Sequence, residues 1–96
     1  MRRAANIDKN QLAVVAELRR AGAAVAITSG AGDGFPDLVV GVAGRNYLLE
    51  VKRDRERAKW ALQPKQVKFH AAWKGQVAIV ETPSQALAVC GLAMES

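Results

Sequence analysis

The feature that most constrains the fold of this chain is a two-residue connection between two apolar runs rich in Val, Leu and Tyr. The runs occupy residues 37–42 and 46–52, and the connection is Ala43 and Gly44, followed by Arg45. Apolar runs of this length, joined by so short a connection containing glycine, are typical of an antiparallel β-hairpin. Pro36 precedes the first run, where its missing N–H does not disturb strand pairing. We therefore predict a hairpin in which Val42 pairs with Arg45.

This register would bring ionisable side chains together on one face of the sheet. If Val42 pairs with Arg45, then Asp37 lies opposite Glu50, and directly opposed residues of an antiparallel pair share a face. Lys52 is two residues beyond Glu50 and so projects to the same side. Two carboxylates and one ammonium group are thus expected on one patch of an otherwise apolar sheet.

Two interpretations fit this patch. Directly opposed like charges are destabilising, and a divalent cation would remove that conflict, since Mg²⁺ and Mn²⁺ prefer hard oxygen ligands such as carboxylates. In the alternative interpretation, Lys52 forms an ion pair with Glu50, and Asp37 is a residue near solvent at the start of its strand. The spacing alone favours neither.

The remaining segments predict a mixed architecture. Helices are expected over residues 7–21, 64–73 and 83–91, and further strands over 23–28 and 76–80. Gly22 and Gly75 end the first two helices, and Pro64 is a favourable first helical residue. The order helix, three strands, helix, strand, helix predicts an α/β (α+β) fold, with a mixed four-stranded sheet flanked by helices.

Length and composition limit the class of protein. A chain of 96 residues, half of them apolar, supports one domain over residues 1–96. No apolar run approaches the ~18–20 residues of a membrane helix, and Asp8 interrupts the N-terminus before any signal-peptide core could form. The lone Cys90 excludes an internal disulfide or a cysteine-based zinc site and is expected in the core. We therefore expect a soluble cytoplasmic protein that does not bind membranes.

Basic residues are concentrated in one quarter of the chain. The net charge is +5, and residues 52–74 contain eight Lys or Arg against two acidic residues. A basic surface of this kind suits a polyanion such as DNA, although a solvated surface that keeps the domain soluble is the alternative. Trp60, within this stretch, either stacks on a splayed base or packs against a neighbouring chain. The expected nucleic-acid contacts are Ser29, Arg53, Arg55, Arg57, Lys59, Lys65 and Lys68.

One polar residue lies within the apolar stripe of the first helix. At 100° per residue, Val14, Val15 and Leu18 share one face, and Gln11 falls in the middle of it. Glu17 points away from that face. Gln11 is therefore expected to face the sheet, and Glu17 the solvent.

These residues resemble a known nuclease superfamily. Gly34, Phe35, Pro36 and Asp37, followed after twelve residues by Glu50, Val51 and Lys52, resemble the Pro-Asp…(Asp/Glu)-x-Lys signature of PD-(D/E)xK nucleases. Together with residues 45–52 and the segment Leu-Gln-Pro-Lys-Gln-Val-x-Phe-His over 62–70, they resemble the stand-alone VRR-NUC domains of phages. The likeness extends from about residue 10 to residue 91.

The resemblance implies a restriction-endonuclease-like αβββαβ core and a Mg²⁺- or Mn²⁺-dependent endonuclease. Such an enzyme would be a homodimer that hydrolyses DNA phosphodiesters selectively by structure, for example in branched DNA such as Holliday junctions, in the cytoplasm of a bacterial host. A DNA-binding module without catalysis is the alternative on the same fold. A small assembly protein whose basic face meets acidic partners is a third.

The resemblance also implies roles for individual residues. Asp37, Glu50 and the backbone carbonyl of Val51 would be metal ligands, and Lys52 would be the signature lysine. Gln66 matches the glutamine of the helix that follows. Gln11 lies where many relatives have a glutamate, and an amide adds no negative charge to a metal site.

Overall fold

The computed structural model describes residues 9–52 and 62–92. Within these residues the helices and strands follow the predicted order. Their first and last residues differ from the predicted ones by at most two positions, wherever the predicted position is itself described. The expectations for Arg53, Arg55, Arg57, Lys59 and Trp60 lie outside the described residues. The elements are α1 (Lys9–Arg20), β1 (Ala24–Ile27), β2 (Leu38–Val42), β3 (Arg45–Val51), α2 (Pro64–Ala72), β4 (Gln76–Val80) and α3 (Pro83–Val89).

Helix α1 ends where glycine permits the backbone to reverse. Gly22 has φ +102°, and its N–H donates to the carbonyl of Arg19 at 3.0 Å, while the N–H of Ala23 donates to Leu18 at 3.0 Å. This pair of bonds is the Schellman arrangement, which satisfies carbonyls that the helix itself leaves unpaired. It also turns the chain directly into β1.

The β2–β3 hairpin has the predicted register. Val42 pairs with Arg45 and Leu38 with Leu49. Ala43 and Gly44 have φ of 53° and 76°, the two successive positive values of a type I′ turn, whose twist matches that of the strands. Alanine is unusual at such a position because its Cβ is crowded there.

The four strands form one mixed sheet in the order β1-β2-β3-β4. The first three are mutually antiparallel, and β3 and β4 are parallel. Helix α1 packs against α3 and β1, and α3 also packs against β4. Because successive side chains of a strand point to opposite faces of the sheet, the strands contribute residues to two different environments.

One face of the sheet, which we call the core face, is closed by α1 and α3. Its strand residues include Leu38, Val40, Leu49 and Val80, each no more than 1% exposed. They form one apolar cluster with residues of the two helices and of the C-terminal cap of α3, namely Val14, Val15, Leu18, Ala86, Leu87 and Cys90. The buried position of Cys90 agrees with its expected place in the core.

The opposite face, which we call the open face, carries Leu48 and Glu50 from β3. Both are buried, but neither belongs to the core cluster. Helix α2 contacts this face through Gln66 and buries none of its own residues. Within residues 9–52 and 62–92, no helix has both the length and the apolar character needed to cross a membrane.

Candidate active site

Asp37 and Glu50 meet because the hairpin register places them opposite each other. Leu38 pairs with Leu49 at the start of β2, so Asp37, one residue earlier, lies beside Glu50. Asp37 Oδ2 accepts a hydrogen bond of 2.8 Å from the backbone N–H of Val51. The strand end that carries Glu50 therefore also fixes the orientation of Asp37.

Glu50 is a carboxyl group taken almost completely out of water, with 3% of its surface exposed. Its Oε2 accepts a hydrogen bond of 2.7 Å from Gln66 Nε2 and lies 3.6 Å from Lys52 Nζ. Its other oxygen, Oε1, is buried and has no hydrogen-bond partner among the described residues. A buried acceptor without a donor is costly, so this atom requires a proton, a water or a cation.

The electrostatics of the pair are unfavourable to two negative charges. Burial, and next the carboxylate of Asp37, raise the pKa of Glu50 from 4.5 to about 7, although Lys52 acts in the opposite direction. The closeness of the two carboxyl groups also raises the pKa of Glu50, because a protonated Glu50 could donate a hydrogen bond to Asp37. Without a cation, the pair thus holds a proton at a pH where an ordinary glutamate is ionised.

Lys52 and Gln66 complete a small polar network on the open face. Gln66 Oε1 accepts from Lys52 Nζ at 3.4 Å and from the backbone N–H of Gln63 at 2.8 Å. The Gln63 bond caps the N-terminus of α2, since an N-terminal N–H there has no partner within the helix. One side chain therefore orients Glu50, Lys52 and the helix start together.

Gln11 is turned inward, as the helical pattern predicted. The residue is 4% exposed, and its Nε2 donates a hydrogen bond of 2.9 Å to Ser29 Oγ. Glu17 instead pairs with Arg20 at 2.7 Å on the surface of α1. The inward residue of α1 thus contacts the chain just after β1.

The donor set fits a hard divalent cation. Among residues 9–52 and 62–92 no cluster of three or more His, Cys, Asp or Glu side chains could hold a metal, so a cation would rely on Asp37, Glu50, a backbone carbonyl and water. Mg²⁺ is commonly bound through one or two carboxylates plus waters. The unpartnered Glu50 Oε1 is the atom that such an ion would satisfy.

A cavity of about 530 Å³ opens beside these groups. Asp37 and Gln66 form part of its wall, and the loop 29–35 and the start of α2 form the rest. Gly34, with φ +79°, packs so closely that a Cβ there would lie 2.3 Å from the carbonyl oxygen of Lys65. The loop is thereby pressed against the first turn of α2, a contact that only glycine allows.

Of the six basic residues expected to contact DNA, two, Lys65 and Lys68, are among the residues that the structure describes. Lys65 borders the cavity and forms a weak exposed pair with Asp33 at 3.7 Å. Lys68 is exposed on α2. Ser29, the polar residue expected to touch phosphate, also borders the cavity.

Three residues of this region were not identified from the sequence as parts of the site. Asn10 Nδ2 donates to the carbonyl oxygens of Lys52 at 2.9 Å and Glu81 at 2.7 Å, which ties the ends of β3 and β4 together. Phe35 borders the cavity. His70 has a buried Nε2 without a partner in the described residues, and burial and then the charge of Lys52 lower its pKa. The sequence gives no pattern that singles out Asn10.

No protein-family model and no curated protein sequence matches this chain. A solved structure described as a VRR_NUC domain is similar to it, with a TM-score of 0.70 and 24% sequence identity. The similarity covers 92% of this chain and 97% of that one. It confirms the fold expected from the Pro-Asp and Glu-x-Lys motifs, and we conclude that the chain has the fold of a VRR-NUC domain.

Proposed function

We propose that this protein is a metal-dependent endonuclease that hydrolyses phosphodiester bonds of DNA. The observation that carries the proposal is the pairing of Asp37 with the buried Glu50, whose Oε1 has no partner in the described residues. Two carboxylates that repel each other, next to a lysine, suit a site that acts with a divalent cation. The fold shared with a VRR_NUC domain structure supports the nuclease class.

The proposal gives each residue of the site a chemical role. Asp37 and Glu50 would hold Mg²⁺ or Mn²⁺, with the Val51 carbonyl as a further ligand. When bound, the ion would lower the pKa of a water and offset charge on the phosphodiester. Gln66 and the Val51 N–H orient the two carboxylates. Lys52, held 3.4 Å from Gln66 Oε1, would donate a hydrogen bond where negative charge develops.

The substrate in this proposal is branched DNA, and the active form is a homodimer. Two active sites related by a two-fold axis would match a symmetric four-way junction. With so small a domain, recognition would depend on DNA shape and backbone rather than on base sequence. Lys65 and Lys68, and the arginines and Lys59 of the segment 53–59, would contribute phosphate contacts.

The alternative is a DNA-binding module that has lost catalysis, and Gln11 is the residue that favours it. Its amide replaces the glutamate expected from the family resemblance and is hydrogen-bonded to Ser29. Binding of DNA with no metal-dependent cleavage would support this alternative. A third possibility, an assembly protein, predicts neither cleavage nor the steep salt dependence of affinity that phosphate contacts produce.

The deciding experiment incubates the protein with labelled four-way junction, flap and linear DNA, with and without Mg²⁺ or Mn²⁺. We expect cleavage only with metal, and faster cleavage of the branched substrates. Lys52→Ala should abolish cleavage while DNA affinity changes little, since one charge among eight basic residues is removed. Lys74→Ala is the matched control, because it removes an exposed lysine of the same basic stretch. Lys74 lies just before the start of β4, at the opposite end of that strand from the residue paired with Val51. Cleavage by Lys52→Ala within about threefold of wild type would contradict the role of Lys52.

A further inference from the structure

The cavity beside Asp37 has walls suited to a flat, partly polar ligand. Phe35 supplies an aromatic surface, and Gly32 and Gly34 leave their part of the wall without side chains. Ser29, Gln63 and Gln66 contribute polar atoms. Its volume of about 530 Å³ is within the range of roughly 300–1,000 Å³ that is typical of small-molecule sites.

The aromatic wall is held in place rather than free to move. The ring of Phe35 packs edge-to-face on Phe69, with centroids 5.3 Å apart and an angle of 73° between the planes. Phe69 in turn stacks on Trp73 at 4.9 Å. Because the backbone of Gly34 is pressed against Lys65, the loop cannot carry Phe35 away without breaking that contact.

We propose that this cavity binds an unpaired nucleobase of the DNA substrate, adjacent to the phosphodiester that is cleaved. The inference rests on the proposed function and narrows its substrate class to DNA with an unpaired nucleotide at the cleavage position. Asp37 belongs to both the cavity wall and the carboxylate pair. A base seated here would therefore have its phosphate within reach of the reacting groups.

The chemistry of the wall matches a base better than a bare phosphate. Stacking on an aromatic ring is tolerant of base identity and strengthens binding by about tenfold or more per base. The Ser29 hydroxyl can donate a hydrogen bond to a base edge while it accepts from Gln11. Lys65 lies at the rim, where its pair with Asp33 is exposed and weak, so that it can turn to the backbone phosphate.

Fully paired DNA would enter this cavity only at a cost. A base in a duplex must first be unstacked and unpaired, which costs free energy, and this cost is lowest for a base that is already unpaired. The protein should therefore prefer DNA with one unpaired nucleotide at this position to the same DNA when it is fully paired. It predicts no preference for any particular base.

The test moves a single mismatched nucleotide through the three positions on each side of the mapped cleavage site. The measured quantity is the ratio of cleavage rates for mismatched and fully paired DNA within one protein. This ratio does not depend on how much of a variant is folded. For wild type we expect a ratio of about tenfold or more at one position. A ratio near one at every position would overturn the proposal.

Variants of Phe35 connect the preference to the cavity. Phe35→Leu should reduce the ratio to near one, and Phe35→Trp should restore most of it, because stacking requires a flat ring. Tyr47→Leu removes an aromatic ring of the core cluster that does not line the cavity, and should leave the ratio unchanged. An unchanged ratio in Phe35→Leu, or an equal loss in Tyr47→Leu, would contradict the proposal.

A binding measurement separates this inference from the proposed function. Fluorescence anisotropy in EDTA gives the affinity for the same DNAs without cleavage. A mismatch preference of about tenfold in affinity that is lost in Phe35→Leu would support the base site, even if no DNA were cleaved with metal. Cleavage with no preference in either assay would support the nuclease and overturn the base site.

Discussion

Burial has opposite energetic effects on the two faces of the sheet, although β3 contributes alternate residues to both. On the core face, Leu49 and its neighbours are completely buried between the sheet and two helices. On the open face, Glu50 is equally hidden from water but carries a charge conflict with Asp37. Burial on the first face stabilises the fold, whereas burial on the second raises the energy of an ionised group. The same strand thus combines a stable core with a site that is unfavourable when empty.

Truncating neighbouring leucines tests the difference most directly. Leu49→Ala opens a cavity in the core cluster and should lower the free energy of unfolding by about 3–5 kcal/mol. Leu48→Ala, on the open face and outside that cluster, should cost less. Urea denaturation of both variants measures the two values. A larger loss for Leu48→Ala would mean that the open face is the principal core.

The charge conflict predicts a pH dependence of stability. Since the pKa of Glu50 rises from 4.5 to about 7 on folding, the folded state binds the proton more tightly, and stability falls as pH increases between these values. The loss is at most about 3 kcal/mol. Thermal unfolding in EDTA from pH 4.5 to 8 should show this fall, and Mg²⁺ should reduce it at the upper end.

The matched variant is Glu50→Gln, which keeps the shape and removes the titration. Its stability should change less over the same range, and Mg²⁺ should have little effect on it. An identical pH slope in Glu50→Gln and wild type would show that another group causes the fall.

A third carboxylate near the cavity should intensify the conflict between Asp37 and Glu50. Gln11 points inward and contacts Ser29, so Gln11→Glu should lower the Mg²⁺ concentration for half-maximal cleavage, because ligand charge helps to set affinity. The same variant should be less stable without metal. Glu17→Gln, on the outer side of α1, should change neither quantity. An unchanged midpoint in Gln11→Glu would mean that its side chain does not reach the metal.

The smallest expected effect lies at the β2–β3 turn, at the far end of the hairpin from Asp37. Ala43 adopts φ 53°, which asparagine tolerates better than alanine. Ala43→Asn should therefore increase the free energy of unfolding by about 0.5–1 kcal/mol and leave the pH slope unchanged. A change of that slope would show that the turn and the carboxylate pair are coupled.

The sequence predicted the hairpin and the inward position of Gln11 because both depend on local rules. A two-residue turn fixes the register, and the register fixes which side chains oppose each other. Helical periodicity similarly orients Gln11 without knowledge of its partner. These rules also placed Asp37, Glu50 and Lys52 on one face before any contact was known.

Contacts between distant segments could not be derived in this way. The packing of Gly34 on Lys65, and the cavity that it shapes, depend on how α2 approaches the loop before β2. Asn10 is an ordinary polar residue of a first helical turn until its two carbonyl partners are known. The metal-binding roles assigned to Asp37, Glu50 and the Val51 carbonyl, and the role of Gln66 beside them, stay predictions.

The two hydrogen bonds of Asn10 have a consequence for how the molecule opens. They join a helical residue to carbonyls 42 and 71 positions later in the chain, at the ends of parallel strands that meet through the Lys52 N–H and the Val80 carbonyl. If the first turn of α1 unravels, both strand ends lose a restraint at once. The amide proton of Lys52 should then exchange with solvent at a rate set by α1 rather than by the sheet, and Asn10→Ala should accelerate that exchange selectively.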